Sequence, residues 1–300
     1  MTSTADWAEF LAATRTAVNR VLVDWGRRAV ERYGVPVGQA IAYSLESPGK
    51  RLRPALVLAG YRALGGAGDA VELAAAVEVV HSYSLVHDDL PCMDDDDLRR
   101  GRPTTHRQFD VRTAMEAGFR MVPLSYEVLM AGGARLGLPP DRLSRMGVEL
   151  YRAAGAGGMI RGQVLDLESE GKAVSLEELI DMHRAKTGAL IAASVVLGAL
   201  AAGADDAVVE SIRDFGSEVG LAFQIVDDVL DATMSSEQLG KTPGKDAAQH
   251  KANFVAALGV EGATAAARRY AGLAVDHLRD LPIDSTLLED LAEFVVSRRS

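Results

Sequence analysis

Val77-Glu78-Val79-Val80-His81-Ser82-Tyr83-Ser84-Leu85-Val86-His87 runs straight into Asp88-Asp89-Leu90-Pro91-Cys92-Met93-Asp94-Asp95-Asp96-Asp97. The first stretch reads as a buried helix, so the carboxylates lie where a helix ends against the core. The arrangement recurs once, where Leu221-Ala222-Phe223-Gln224-Ile225-Val226 leads into Asp227-Asp228-Val229-Leu230-Asp231. The C-terminal end of a helix carries partial negative charge, and clustered carboxylates repel one another. Something cationic must offset this, and divalent metals bridged by a phosphorylated ligand are the simplest candidates.

Outward from these runs, helical signals recur along the chain and alternating strand patterns do not. Asp6 to about Tyr33 reads as an amphipathic helix, broken by Gly34-Val35-Pro36-Val37-Gly38. Ser47-Pro48-Gly49 reads as a turn, and Pro54 suits the first turn of a helix ending near Gly65-Gly66. Val71 to about Leu90 is a third long helix. Leu138-Pro139-Pro140 separates two more, Asp205-Asp206 starts another, and Ser235-Ser236 follows the one carrying Asp231. Residues 232–252 are polar and rich in turn formers, the pattern of a loop or lid. No linker or short-period repeat divides the chain. The expectation is one all-α domain spanning residues 1–300.

Composition agrees. Apolar residues make up 48% of the 300 positions and aromatics only 5%, which favours helices packed through small side chains. A net charge of −10 argues against a nucleic-acid surface. Cys92 is the single cysteine, so neither a disulfide nor a cysteine-based zinc site forms within one chain, and a reducing cytoplasm is expected. The first residues lack a basic segment followed by an apolar one, so no signal peptide is expected. Gly188–Ala204 is uncharged and apolar, near the lower length limit for a membrane span; its Ala content, Gly198 and Gly203 favour a buried central helix.

Asp227 and Asp231 are four apart and share a helix face, with Asp228 alongside, so three oxygens can converge on a hard cation such as Mg²⁺. Alone, this reads equally as a solvated helix end; the second cluster in the same setting favours function. Pro91 separates Asp88 and Asp89 from Asp94 by a kink or bulge. Asp96 and Asp97 are either solvated or paired with Arg99 and Arg100. Lys50, Arg51 and Arg53 lie at an expected helix start, where free N–H groups also favour anions. Lys186-Thr187-Gly188 is expected to open the apolar helix, and Lys241, Lys245 and Lys251 follow the second acidic cluster. Each alone reads as a solvated charge. Together they suggest two phosphate sites, one metal-bridged and one purely basic. No Gly-x-Ser-x-Gly, Walker loop or His-Glu-x-x-His is present.

These elements, in order, resemble the all-trans polyprenyl diphosphate synthases, and most of all bacterial farnesyl diphosphate synthases. The likeness rests on Gly49–Pro54, His81–His106, Gly162-Gln163-Val164-Leu165-Asp166, Lys186-Thr187-Gly188, Phe223–Asp231, Leu239-Gly240-Lys241 and Gly244-Lys245-Asp246. It implies an isoprenoid-synthase bundle of antiparallel helices around a central cavity, usually a homodimer, without a membrane span. The implied reaction is head-to-tail prenyl transfer from an allylic diphosphate to isopentenyl diphosphate. Asp88, Asp94, Asp227 and Asp231 would hold about three Mg²⁺ ions, with Asp89 and Asp228 in support. Arg99, Lys186, Lys241 and Lys251 would neutralise the allylic diphosphate. Lys50, Arg53, His81 and Arg100 would bind isopentenyl diphosphate, and Thr187 and Gln224 would sit near the developing carbocation.

The family's product-length positions are Ser84 and Tyr83, four and five residues before the first aspartate. Tyr83 is about 7.5 Å of helix rise from Asp88, and a bulky ring there resembles enzymes that stop at C15. Geranyl or geranylgeranyl products are the alternatives, as are a terpene cyclase of the same ancestry and a catalytically silent partner subunit. Two departures stand out. The family's Ala-Gly-Asp-Ala-Leu reads Ala117-Gly118-Phe119-Arg120-Met121 here, followed by Pro123, which is expected to bend its helix. The family's Lys-x-Thr reads Lys251-Ala252-Asn253.

Overall fold

The computed structural model describes residues 4–234 and 252–298. It is all-α, as the sequence predicts. The helices are α1 (Thr4–Tyr33), α2 (Val37–Leu45), α3 (Leu52–Ala63), α4 (Val71–Asp88), α5 (Thr105–Gln108), α6 (Val111–Arg135), α7 (Pro140–Ala154), α8 (Met159–Ser169), α9 (Leu176–His183), α10 (Ala189–Ala202), α11 (Asp206–Thr233), α12 (Phe254–Asp276) and α13 (Thr286–Ser297). Among the described residues the one extended pairing is a ribbon of β1 (Leu98–Arg99) and β2 (Arg102–Pro103), antiparallel and two residues long. Strands that short carry no alternation to read.

The expected punctuation largely holds. Pro54 is the third residue of α3, where its missing N–H has no helical partner to lose. The Asp205 carboxylate accepts the Val208 N–H at 2.9 Å and caps α11. The short helix α2 was not expected between the Gly34–Gly38 break and the Ser47 turn.

The chain divides into two compact units. One comprises Met1–Glu9, Leu56–Ala67 and Ser144–Ser300. Its centre is α10, in which every residue from Leu190 to Ala201 is buried. Small residues permit the closest approaches. A Cβ on Gly198 would lie 2.1 Å from the Val57 carbonyl oxygen, so only glycine lets these backbones touch. Helix α11 packs on α10, and α12 on α11. The run Leu176–Ala202 is long and apolar enough to cross a membrane, but 78% of its apolar window is buried within the protein, as the core-helix reading expects.

That run also corrects one expectation. Lys186-Thr187-Gly188 does not open a helix. The helix begins ten residues earlier at Leu176, where Ser175 and Glu178 form a reciprocal capping box, and passes into α10 through a π-helical turn, Arg184–Gly188. The Ser175-x-x-Glu178 pattern was the sequence signal for this start.

The second unit comprises Phe10–Ala55 and Gly68–Leu143. Here α4 packs against α6 and α2 also lies on α6. Helix α6 continues through Pro123, which sits inside it. The buried Glu72 carboxylate is held by Trp25 Nε1 at 3.0 Å and Arg135 Nη2 at 2.9 Å. Arg51 is buried as well. Its guanidinium pairs with Glu78 at 2.7 Å and donates to Asn19 Oδ1 and to the Leu45 and Ser47 carbonyls. Its donors are thus engaged within the protein, which marks it as a structural cation.

Candidate active site

In the second unit, α4 ends at Asp88 and the chain turns back on itself. The Asp94 N–H donates to the Asp88 carbonyl at 2.8 Å, and the Asp96 N–H to the Asp89 carbonyl at 3.2 Å. Pro91 thus produces a closed loop that returns Asp94 to Asp88, where the sequence suggested separation by a kink or bulge. Asp95 adopts a φ of +48°, which aspartate tolerates better than most residues. Downstream residues hold the loop. Thr104 Oγ1 donates to the Asp96 carbonyl at 2.7 Å and the Thr104 N–H to that of Asp97 at 2.9 Å. The stretch Gly101–His106 therefore contributes a staple that motif reading had left without a role.

Asp89 is buried and accepts Arg99 Nε at 2.6 Å. Burial pushes its carboxyl above the usual aspartate range, partly offset by Arg99. Arg99 also reaches Asp96 at 3.5 Å. The alternative expected for Asp97 is corrected: it pairs with Arg107 at 2.5 Å, while Arg100 Nη1 donates to the Pro48 carbonyl at 2.6 Å. The β1–β2 turn directs Arg100 away from Asp97.

The basic residues gather beside this loop. Burial, then the neighbouring charges of Arg53, Arg100, Arg99 and Arg51, hold the His81 imidazole well below its usual range. His81 is thus neutral at neutral pH and lies in a field set by the expected isopentenyl-site arginines. A Cβ on Gly49 would lie 2.6 Å from Arg100 Nη1, so glycine makes room for that guanidinium. Lys50 is exposed. Arg51 and Arg100 have φ values of +55° and +53°, conformations that cost of order 1–3 kcal/mol in non-glycine residues.

Tyr83 is buried, and its ring meets His87 edge to face with centroids 6.0 Å apart. His87 meets Phe119 the same way at 5.2 Å, so Phe119 belongs to a line of three rings beginning at Tyr83. Ser84 donates to the His81 carbonyl at 2.9 Å.

In the first unit, α11 carries the second acidic cluster. Asp228 does not join Asp227 and Asp231 in a three-oxygen site. Its Oδ1 accepts Gln224 Nε2 at 3.2 Å and its Oδ2 the Phe254 N–H at 2.8 Å. Thr187 Oγ1 donates to Gln224 Oε1 at 3.0 Å. Thr187, Gln224 and Asp228 thus form one chain of hydrogen bonds. Asp227 instead pairs with Arg298 at 2.8 Å. The Lys186 ammonium pairs with Asp166, and Gly162 lets α8 approach the π turn, since a Cβ there would lie 2.1 Å from the Lys186 backbone nitrogen. Lys241, Lys245 and Lys251 lie outside the described residues, as does most of the expected loop at residues 232–252.

Burial pushes Asp228 up to about 6, with the Phe254 N–H and Gln224 opposing and Asp227 and Asp231 adding to the rise. The folded value exceeds the ordinary 3.8. The folded protein therefore holds an extra proton between the two values, and this contribution to stability is present at low pH and lost as pH rises through about 6. Asp228→Asn is expected to flatten the pH dependence of urea unfolding in the metal-free protein across that window. An unchanged slope would refute the assignment.

A profile of the polyprenyl synthetase family matches residues 36–276. The chain belongs to the polyprenyl synthetase family. Farnesyl diphosphate synthase of Geobacillus stearothermophilus is 40% identical over 293 residues, covering 97% of both chains. The chloroplastic geranylgeranyl pyrophosphate synthase of Catharanthus roseus is 38% identical over 299 residues, 99% of this chain and 82% of that protein. Among solved structures, the Helicobacter pylori geranyltransferase complexed with magnesium and isoprenyl diphosphate has a TM-score of 0.76 at 30% identity, covering 94% of this chain and 96% of that one.

Two departures from the family pattern now have local explanations. Asn253 is the N-cap of α12, its Oδ1 accepting the Ala256 N–H at 2.7 Å, a task that asparagine and threonine both perform. Phe119 is exposed, and its ring meets His87 at 77° with centroids 5.2 Å apart. Mg²⁺ fits the donor set. The ligand candidates are carboxylate oxygens, the donors a hard cation takes. Mg²⁺ commonly takes one or two carboxylates and completes its shell with water and substrate phosphate.

Proposed function

We propose that this polyprenyl synthetase is a Mg²⁺-dependent prenyltransferase that condenses isopentenyl diphosphate head-to-tail with dimethylallyl or geranyl diphosphate to give farnesyl diphosphate. The observation that carries the reading is the basic platform of Arg53, His81 and Arg100 next to the Asp88–Asp94 loop. A cyclase ionises one diphosphate and needs no second anion site. A silent subunit has no use for a complete set of acids.

Barrier lowering here means stabilising the charge separated when the allylic C–O bond breaks. Bound Mg²⁺, about three ions per site, would neutralise the departing diphosphate. Asp88, Asp94, Asp227 and Asp231 would be its ligands. Arg99, Lys186, Lys241 and Lys251 would add positive charge on the same anion. Lys50, Arg53, His81 and Arg100 would orient isopentenyl diphosphate. Thr187 donates a hydrogen bond to Gln224 at 3.0 Å, which would leave the Thr187 hydroxyl lone pairs to face the carbocation. Asp89 and Asp228 would act through Arg99 and Gln224. Residues 1–300 would form one functional domain, and the family match across residues 36–276 supports this. A cytoplasmic homodimer is the assembly proposed.

The test is a product assay. Protein, Mg²⁺ and isopentenyl diphosphate are combined with dimethylallyl, geranyl or farnesyl diphosphate, and dephosphorylated products are identified by mass spectrometry. Farnesol should dominate. Tyr83→Ala should shift the products toward C20, because it removes the ring packed on His87. A hydrocarbon formed without isopentenyl diphosphate, or no turnover, would refute the function. An unchanged product from Tyr83→Ala would refute the length assignment.

A further inference from the structure

Arg298 lies just past α13 with a side chain only 4% exposed, and its guanidinium faces the second acidic cluster. Its Nη2 lies 2.8 Å from Asp227 Oδ1 and donates to the Phe223 carbonyl at 2.8 Å. The guanidinium carbon lies 3.8 Å from the centroid of the Phe223 ring, and Nε donates to the Val295 carbonyl at 3.3 Å. Two carbonyls and a ring therefore fix the cation from the side of the protein. The carboxylate is different. Asp227 remains 38% exposed, and no described residue bonds its Oδ2. Asp231, one helical turn on, also acts on Arg298 electrostatically.

We propose that Arg298 is a positioning residue for Asp227: it fixes Oδ1, leaves Oδ2 to the ion, and keeps the second cluster's affinity for a bare divalent cation low until a diphosphate arrives. The inference rests on the reading of Asp227 as a metal ligand. A fixed cation beside a ligand carboxylate offsets the repulsion among Asp227, Asp228 and Asp231 while no metal is bound. It also repels an incoming dication. A diphosphate carries several negative charges and outweighs one guanidinium, so metal and diphosphate load together. Part of the cluster's charge is thus balanced before any substrate binds.

The test uses the full chain with Mn²⁺ as probe, free Mn²⁺ being read by electron paramagnetic resonance with and without inorganic pyrophosphate. Asp227→Asn identifies the part of the isotherm due to the second cluster. Arg298→Ala should bind bare Mn²⁺ there at least about tenfold more tightly, the lower bound set by a unit charge acting on a dication at about 6 Å with full water screening. Affinity in the presence of pyrophosphate should change far less. Arg298→Lys, which keeps the charge, should resemble the parent. Should the alanine variant fail to fold, Arg298→Gln retains donors for the two carbonyls and carries the same expectation. Unchanged or weaker bare Mn²⁺ binding in the neutral variants, with or without a lower Tm, would overturn the proposal and leave Asp227 as a ligand. If Asp227→Asn leaves Mn²⁺ binding intact, the ligand reading fails and the proposal with it.

Discussion

Alanine at Asp88 is expected to cut kcat for prenyl transfer by about 10³-fold or more, the scale of removing a preorganised group that stabilises transition-state charge. The fold should tolerate the change. What closes the loop is the Asp88 backbone carbonyl, which accepts the Asp94 N–H, and alanine keeps that carbonyl. Removing one carboxylate from the end of α4 also relieves repulsion with the helix dipole and its acidic neighbours. Stability should therefore hold or rise while activity collapses. Asp88→Glu keeps the charge but displaces it by about one C–C bond, so it should retain more activity than alanine. The measurement pairs steady-state kinetics at saturating Mg²⁺ with urea unfolding. Asp227→Ala should behave alike in kcat. If both alanine variants kept activity within tenfold of the parent, the metal-bridged mechanism would be wrong.

The largest stability effect is expected at Arg51. Both partners of the Arg51–Glu78 pair are nearly inaccessible, with side-chain exposures of 2% and 3%. Truncating one leaves the other charged and buried, which costs about 3–5 kcal/mol. Arg51→Ala should thus lose a third or more of a typical domain's stability of about 5–15 kcal/mol in urea unfolding. It also removes the donors to Asn19, Leu45 and Ser47 that tie the segment before α3 in place. The double variant Arg51→Met/Glu78→Leu should recover much of the loss, because a well-packed apolar pair replaces a buried ion pair at little cost. A single variant within 1 kcal/mol of the parent would show that water reaches the pair.

The distinction between Arg51 and its neighbours marks where sequence reading stopped. Lys50, Arg51 and Arg53 look alike as a basic run, and only the fold brings Glu78 onto Arg51. Helix class was legible because apolar runs of this length, broken at Gly34, Ser47, Pro139 and Asp205, have no other economical packing. The acidic clusters were legible because they recur in the same apolar setting. Their internal division was not. Nothing local distinguishes Asp227 from Asp228, and what separates them is the Phe254 N–H and Arg298, 26 and 71 positions away. The α9 start is legible in Ser175 and Glu178, a local capping signal weaker than the long apolar run after Gly188.

The π turn at Arg184–Gly188 has a further consequence, for how this chain can evolve. A π turn holds one residue more than an α turn. Dropping one residue from Arg184–Gly188 would let the helix revert to α geometry. The phase between α9 and α10 would hold, since an α turn closes the same circle with one residue fewer, but Lys186 and Thr187 would be re-aimed within the turn, away from Asp166 and Gln224. Lys186 and Thr187 fix two identities in this turn, and the residue count fixes where those two side chains point. Neighbouring loops can gain or lose residues freely, whereas here the count itself is inherited with the activity.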